Sequence, residues 1–237
     1  ITVIAIILFI LLVGVAFEVM DKSGILKSVI SRIIKTFVGR KYALLLVITF
    51  FFMALGAFFG IFEEVIPLVP ILIALAFSLG WDSLVGLGMS ILATNVGFSM
   101  AVFNPFTIGV SQKLAGLPLF SGALPRILLF IVGYARLALF RRAYARKIDK
   151  HPEASPLFQE DQPERLRLGS FEVEKTDDPR MRRAIVFLAA FFALILAVLV
   201  ASPFITFLSD YALPITGLLF VIGGIGAGLM SGEGRKA

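Results

Sequence analysis

Long apolar runs separated by short polar punctuation set the elements of this chain. Residues 2–20 are almost wholly apolar and end in Asp21-Lys22, enough helix at 1.5 Å per residue to cross about 30 Å of hydrocarbon. Residues 22–40, KSGILKSVISRIIKTFVGR, put Ile25, Val29, Ile33 and Phe37 on one face and Lys27, Ser31 and Lys35 off it. That spacing predicts an amphipathic interfacial helix with a basic side; a plain charged loop is the alternative. Residues 42–80 form one apolar run broken only by GIFEEVIPLVP at 60–70. A single crossing helix is far shorter, so the chain must turn near Glu63.

The pattern then changes character. Segment 84–117 is apolar but carries NVGFSMAVFNPFT at 95–107. Pro105 removes a backbone donor and clashes with the preceding turn, and Asn95, Gly97, Asn104 and Gly109 are poor mid-helix residues. These positions predict a discontinuous helix. A return helix at 121–140 leads into Arg141, Arg142, Arg146 and Lys147, and residues 148–182 form a polar linker that need not be folded. Two more spans follow at 183–207 and 211–231, the second with Gly217, Gly223, Gly224, Gly226 and Gly228, which suits close helix packing.

Composition fixes the class. Apolar residues make up 59% of the chain and phenylalanine alone supplies 24 positions, against about 45–50% apolar in soluble domains. Windows of about 20 apolar residues point to helices rather than to the ~10-residue alternating strands of a barrel. The expected fold is therefore an all-α polytopic membrane protein. The net charge of +6 comes from Lys and Arg clustered at 22–41 and 136–183, which marks cytoplasmic loops by the positive-inside rule rather than a nucleic-acid partner. There is no cysteine, and the sole histidine, His151, lies in the polar linker, so no metal centre or cofactor of the zinc or haem kind is expected. The chain starts inside an apolar run at Ile1-Thr-Val-Ile-Ala, which reads as a fragment rather than a signal peptide.

With both basic blocks on one side, residues 42–140 must cross an even number of times or re-enter. A re-entrant helical hairpin, a broken helix and one return helix satisfy this, and so do four plain crossings. The difference matters for Glu63 and Glu64. At mid-membrane an ionised carboxylate is costly and normally faces a cavity, a partner or a proton, whereas at the far interface the two are ordinary solvated charges. Asn95 to Thr107 supply amides, hydroxyls and freed carbonyls, oxygen ligands that suit Na⁺, while a half-helix N-terminus suits a carboxylate. The bland reading is that these groups only hydrogen-bond between helices. Arg126 and Arg136 are expected to snorkel from opposite ends of one span, and Trp81 and Tyr134 to sit at the interfaces.

GIFEEVIPLVPILIALAFSLGWDSLVG followed by NVGFSMAVFNPFTIGVSQKLAGLPLFSG resembles the YfcC-type transporters, a branch of the four-carbon dicarboxylate anaerobic carrier group within the ion transporter superfamily. The resemblance rests on residues 60–122; the remainder matches in hydropathy. It implies two inverted repeats, each with scaffold helices, a re-entrant hairpin and a broken helix. On that plan residues 1–147 belong to the first repeat, with an interfacial helix at 22–40, a hairpin at 42–80, a broken helix at 84–117 and a return helix at 121–140. Residues 148–182 become a cytoplasmic linker and 183–237 the first two helices of the second repeat.

Glu63 and Glu64 map onto the hairpin tip, and Asn95, Gly97, Asn104, Pro105 and Thr107 onto the broken-helix site, with Na⁺ at Asn95, Asn104 and Thr107, or H⁺, as the candidate coupling ion. Better-known dicarboxylate members carry a Ser-Asn-Thr type tip, where this chain has Phe62-Glu63-Glu64. That departure keeps a basic amino acid beside a dicarboxylate as the substrate class. The function implied is secondary active transport across the inner membrane, ion-coupled or by exchange, with an elevator-like displacement and a homodimer formed through scaffold helices in the bilayer. Two other classes stand beside it: a scaffold subunit with no transport of its own, and a Glu-dependent intramembrane protease. The protease is disfavoured because no Arg follows within a turn and the only His lies in the linker.

Overall fold

The computed structural model describes residues 2–37, 39–168, 178–201 and 204–232, and every regular element among them is helical. Among the described residues five helices are long and apolar enough to cross a membrane: 41–59, 83–114, 123–150, 179–201 and 214–231. The all-α polytopic fold read from composition is the one observed.

Helix α1 (Thr2–Lys22) ends at Gly24, which takes φ 69° and starts α2 (Ile25–Thr36) in a new direction. The buried line of α2 is Leu26, Ile30 and Ile34, joined by Ile25, with Val29, Ile33 and Phe37 only half-buried. The predicted stripe was thus displaced by one position, because α2 packs against protein on α1 and on the helices at Lys41–Ala54 and Pro179–Ala201 instead of resting one face on lipid.

Helix α3 (Lys41–Ala54) runs on through a π turn at Leu55–Phe59 and stops at Gly60, whose φ of 71° reverses the chain. A 3₁₀ turn at Glu63–Leu68 leads into α4 (Val69–Ser78). Residues 41–78 therefore form a two-legged helical hairpin with its tip at Gly60. Next come α5 (Ser83–Leu87), a π turn at Gly88–Leu92 and α6 (Ala93–Met100). The helix breaks at Ala101–Asn104 and resumes as a π turn at Pro105–Gly109 followed by α7 (Val110–Leu114). Glycines let this broken helix lie against both hairpin legs. A Cβ on Gly56 would strike the Thr94 carbonyl, one on Gly97 the Met53 carbonyl, and one on Gly86 would sit 2.6 Å from Ile73 Cα.

Helix α8 (Ala123–Lys150) returns along the outside, with Leu124, Leu128, Leu129, Ile131, Val132, Leu139 and Phe140 exposed. Helices α10 (Pro179–Ala201) and α11 (Thr206–Ser231) then join α1 in a separate three-helix body. The α11 glycines work on two sides. Gly217, Gly224 and Gly228 face Phe9, Ala16 and Val19 of α1, while Gly223 and Gly226 face Phe191 and Phe187 of α10. Close approach replaces hydrophobic burial as the source of packing energy, since lipid is as apolar as the helices.

The polar segment after α8, read as a linker that need not fold, carries structure. It holds a 3₁₀ turn at Pro152–Ala154 and α9 (Asp161–Leu168); residues 169–177 of it lie outside the described residues. Asp82 explains why it orders. Its carboxylate is buried, accepts from Val85 N at 2.9 Å as the α5 N-cap, from the Tyr144 hydroxyl at 2.6 Å and from the Ser155 hydroxyl at 2.7 Å. Asp161 accepts from Ser83 N at 2.9 Å, and Arg165 donates to the Trp81 carbonyl at 2.5 Å. Trp81, expected at an interface, is 0% exposed beneath this cap. Tyr134, expected at the same kind of interface, is half-buried and donates to the Leu46 carbonyl at 3.2 Å. A charge-rich stretch with few apolar residues thus folds by serving the polar backbone at the hairpin base.

Candidate functional site

The hairpin tip and the helix break meet. Phe103 N–H donates to the Ala57 carbonyl at 3.1 Å, and the Phe58 and Phe103 rings stack 6.1 Å apart. A Cβ on Gly60 would run into Asn104 Oδ1 and lie 2.6 Å from the Phe106 ring, so Gly60 serves both the reversal and the close approach. The break itself needs Ala101 at φ 47°, a left-handed conformation a non-glycine residue adopts at a cost.

The meeting point also touches α8. Phe58 packs edge-on against Phe130, with centroids 5.4 Å apart. Phe130 lies ten residues from Phe140, the basic-side end of the exposed apolar band, or about 15 Å along the axis.

Asn104 is the best-defined polar group there. It is 0% exposed and N-caps the resumed half-helix, its Oδ1 accepting from Phe106 N at 2.9 Å and Thr107 N at 3.2 Å. Those two donors fix which end of the carboxamide is oxygen. Its Nδ2 is then left buried with no hydrogen-bond partner among the described residues, and so is Thr107 Oγ1. A buried polar atom left open is costly unless something pairs with it. Both atoms stand at the N-terminus of the half-helix Pro105–Leu114, whose dipole favours negative charge. The site can therefore donate to a carboxylate. Ligating Na⁺ through Asn104 Oδ1 would require the cap to be given up, because both lone pairs are engaged.

The other sequence candidates fall in different places. Pro105 is the first residue of the half-helix, where its missing N–H costs nothing. Gly97 serves the contact with Met53. Asn95 is exposed beside Ile91 and Phe140 on the outer side of α6, two turns before the break, and its carbonyl accepts from the Ser99 hydroxyl. The structure does not bring it to Asn104. Glu63 and Glu64 open the 3₁₀ turn just after the tip; their side chains lie outside the described residues. Among the described residues no cluster of three or more His, Asp or Glu side chains could hold a metal.

Arg126, like Trp81, departs from its expected place. It turns inward, its Nε donating to the Val102 carbonyl at 3.3 Å and its Nη2 to the Phe120 carbonyl at 3.2 Å. It thus ties the start of α8 to the break instead of snorkelling. The signal was present as an arginine one turn inside an apolar segment, whose cheapest partners are carbonyls already freed from a helix.

Residues 1–235 match the C4-dicarboxylate anaerobic carrier family, DcuC. Among curated proteins, the chain is 30% identical over 160 residues to the Escherichia coli (strain K12) protein named "Putative basic amino acid antiporter YfcC", covering 68% of this chain and 32% of that protein. It is 24% identical over 221 residues to an uncharacterized protein of Haemophilus influenzae (strain ATCC 51907 / DSM 11121 / KW20 / Rd), covering 92% of this chain and 43% of that one. The chain thus spans less than half the length of either relative. No solved structure matches it.

Proposed function

The chain belongs to the C4-dicarboxylate anaerobic carrier family, and from that premise we propose that it forms one substrate-binding half-site of a secondary active transporter in the cytoplasmic membrane. The hairpin 41–78 and the broken helix 83–114 make the half-site, with the hairpin re-entering from the basic, cytoplasmic side. The observation that carries this reading is the open pair of buried atoms, Asn104 Nδ2 and Thr107 Oγ1, at a half-helix N-terminus beside the hairpin tip. They suit the carboxylate shared by a dicarboxylate and an amino acid. Glu63 and Glu64, next along the tip, suit the positive end of a basic amino acid or a coupling cation, in keeping with the name of the E. coli relative. The transport body is a small-molecule carrier, coupled to H⁺ or Na⁺ or run as an exchange, and assembled as a homodimer.

The test uses the full-length protein that carries this chain, reconstituted in liposomes and offered labelled four-carbon dicarboxylates or labelled arginine and ornithine. Uptake that depends on an ion gradient or on internal counter-substrate is expected, with Glu63→Gln changing that dependence. Uptake of neither class, or uptake indifferent to every gradient and to internal substrate, would sink the reading.

A further inference from the structure

On the outer surface, a groove of about 440 Å³ lies between α8 and the first half of the broken helix, within the ~300–1,000 Å³ of ordinary ligand pockets. Leu84, Leu87, Ile91 and Leu92 form one wall and Phe140 the other. Arg141 and Tyr144 close its basic-side end, with the Arg141 Nη atoms and the Tyr144 hydroxyl engaged and Arg141 Nε buried without a hydrogen-bond partner among the described residues. Arg141 is 3% exposed and donates to Leu84 O at 3.0 Å and to Val85 O, and the Tyr144 hydroxyl donates to Asp82. Gly88 makes that crossing possible, since a Cβ there would strike the guanidinium. The groove therefore offers an occupant mostly carbon, with Asn95 the one uncharged polar side chain on its wall besides Tyr144.

Its rim differs. Arg136, Phe140, Tyr144 and Lys147 follow one another at helical spacings of four, four and three, so they form one stripe along α8. Arg136 and Lys147 are exposed, as are Arg142 and Arg146 nearby. Residues 123–148 contain no Asp or Glu, so no carboxylate within this stretch of α8 balances these cations. An apolar slot opening outward at the basic edge of the span, flanked by cations, is complementary to a molecule with a hydrocarbon tail and an anionic head.

We propose that this groove binds one anionic phospholipid of the basic-side leaflet, its acyl chain along Leu87, Ile91 and Phe140 and its headgroup phosphate at Lys147, toward which the long Arg136 side chain extends past Phe140. The site is separate from Asn104 and stands whether or not the transport reading does.

The experiment is native mass spectrometry of the detergent-purified full-length protein, titrated with dioleoyl phosphatidylglycerol or dioleoyl phosphatidylcholine. A retained phosphatidylglycerol adduct is expected, weakened on the order of tenfold in the Arg136→Gln/Lys147→Gln double variant. Ile91→Trp, which fills the slot and leaves the cations, should weaken it too. Because Arg136 and Lys147 are exposed, the double variant should melt as the parent does, so it decides the matter even if Ile91→Trp unfolds. Equal binding of the two lipids, or selectivity that survives the double variant, overturns the proposal. So does failure of Phe140→Cys to react with a lipid-soluble maleimide, which would mean another part of the full-length protein covers α8.

Discussion

At Asn104 the carboxamide oxygen holds the half-helix while its amide nitrogen stands open, and substitution can separate the two. Serine is as good an N-cap as asparagine but brings no amide. Asn104→Ser should therefore leave the melting temperature close to that of the parent, while uptake in liposomes falls roughly ten- to a hundredfold, the worth of a hydrogen bond to a charged group. Asn104→Ala should show the same loss and a further destabilisation of about 1 kcal/mol from the missing cap. Gly60→Ala should be worse for folding, since left-handed backbone costs about 1–2 kcal/mol for an L-residue and the new methyl would press on Asn104. A Gly60→Ala protein that melts and transports like the parent would contradict the tip geometry. The Asn-Pro pair was readable as a break because both residues resist helix interiors. Asn95, of the same residue type, was not separable from it in sequence, because only the helix path decides that one faces the tip and the other the outside.

Helices and turns were legible where length set them. The run at 42–80 had to fold back, and Pro105 had to interrupt 84–117, since neither outcome depends on what lies alongside. What packs beside an element was less legible. The α2 stripe moved by one position because its neighbours are protein, and residues 151–168 folded because buried backbone at Trp81 and Ser83 supplied partners that no hydropathy pattern records. The cap can be tested at its centre. Asp82→Ala removes the acceptor for Val85 N and for two hydroxyls, and should cost about 3 kcal/mol or more. The expected result is a lower melting temperature together with faster proteolysis within residues 151–168; unchanged cleavage would mean the segment orders by other means. Gly224→Leu, set against the Ala16 backbone, should separate α1 from α11 and lower thermal stability while leaving proteolysis of the cap unaltered.

Across the whole molecule, α8 spans 28 residues between the Leu117 turn and the Glu153 cap, about 42 Å of helix. The chain contains no cysteine, so single cysteines at Leu117 and Glu153, both exposed, can report sidedness in a full-length background cleared of other thiols. A membrane-impermeant maleimide applied to intact cells should modify Leu117→Cys and spare Glu153→Cys; modification of both, or the reverse, would refute the proposed orientation. The two bodies of the fold, α1 with α10 and α11 on one side and the hairpin with the broken helix on the other, meet through aromatic rings. Phe59 lies 4.7 Å from Phe192 and 6.3 Å from Phe220, and Phe9 lies 5.0 Å from Phe106. An apolar void of about 150 Å³ adjoins them, lined by residues of both bodies, Phe17, Leu55, Val65 and Leu188 among them. Dispersion between such rings has no directional bond to snap and is shed in increments of about 0.1–0.2 kcal/mol per atom pair. Contacts of this kind resist relative displacement gradually, so the seam would yield in small steps instead of breaking at one bond.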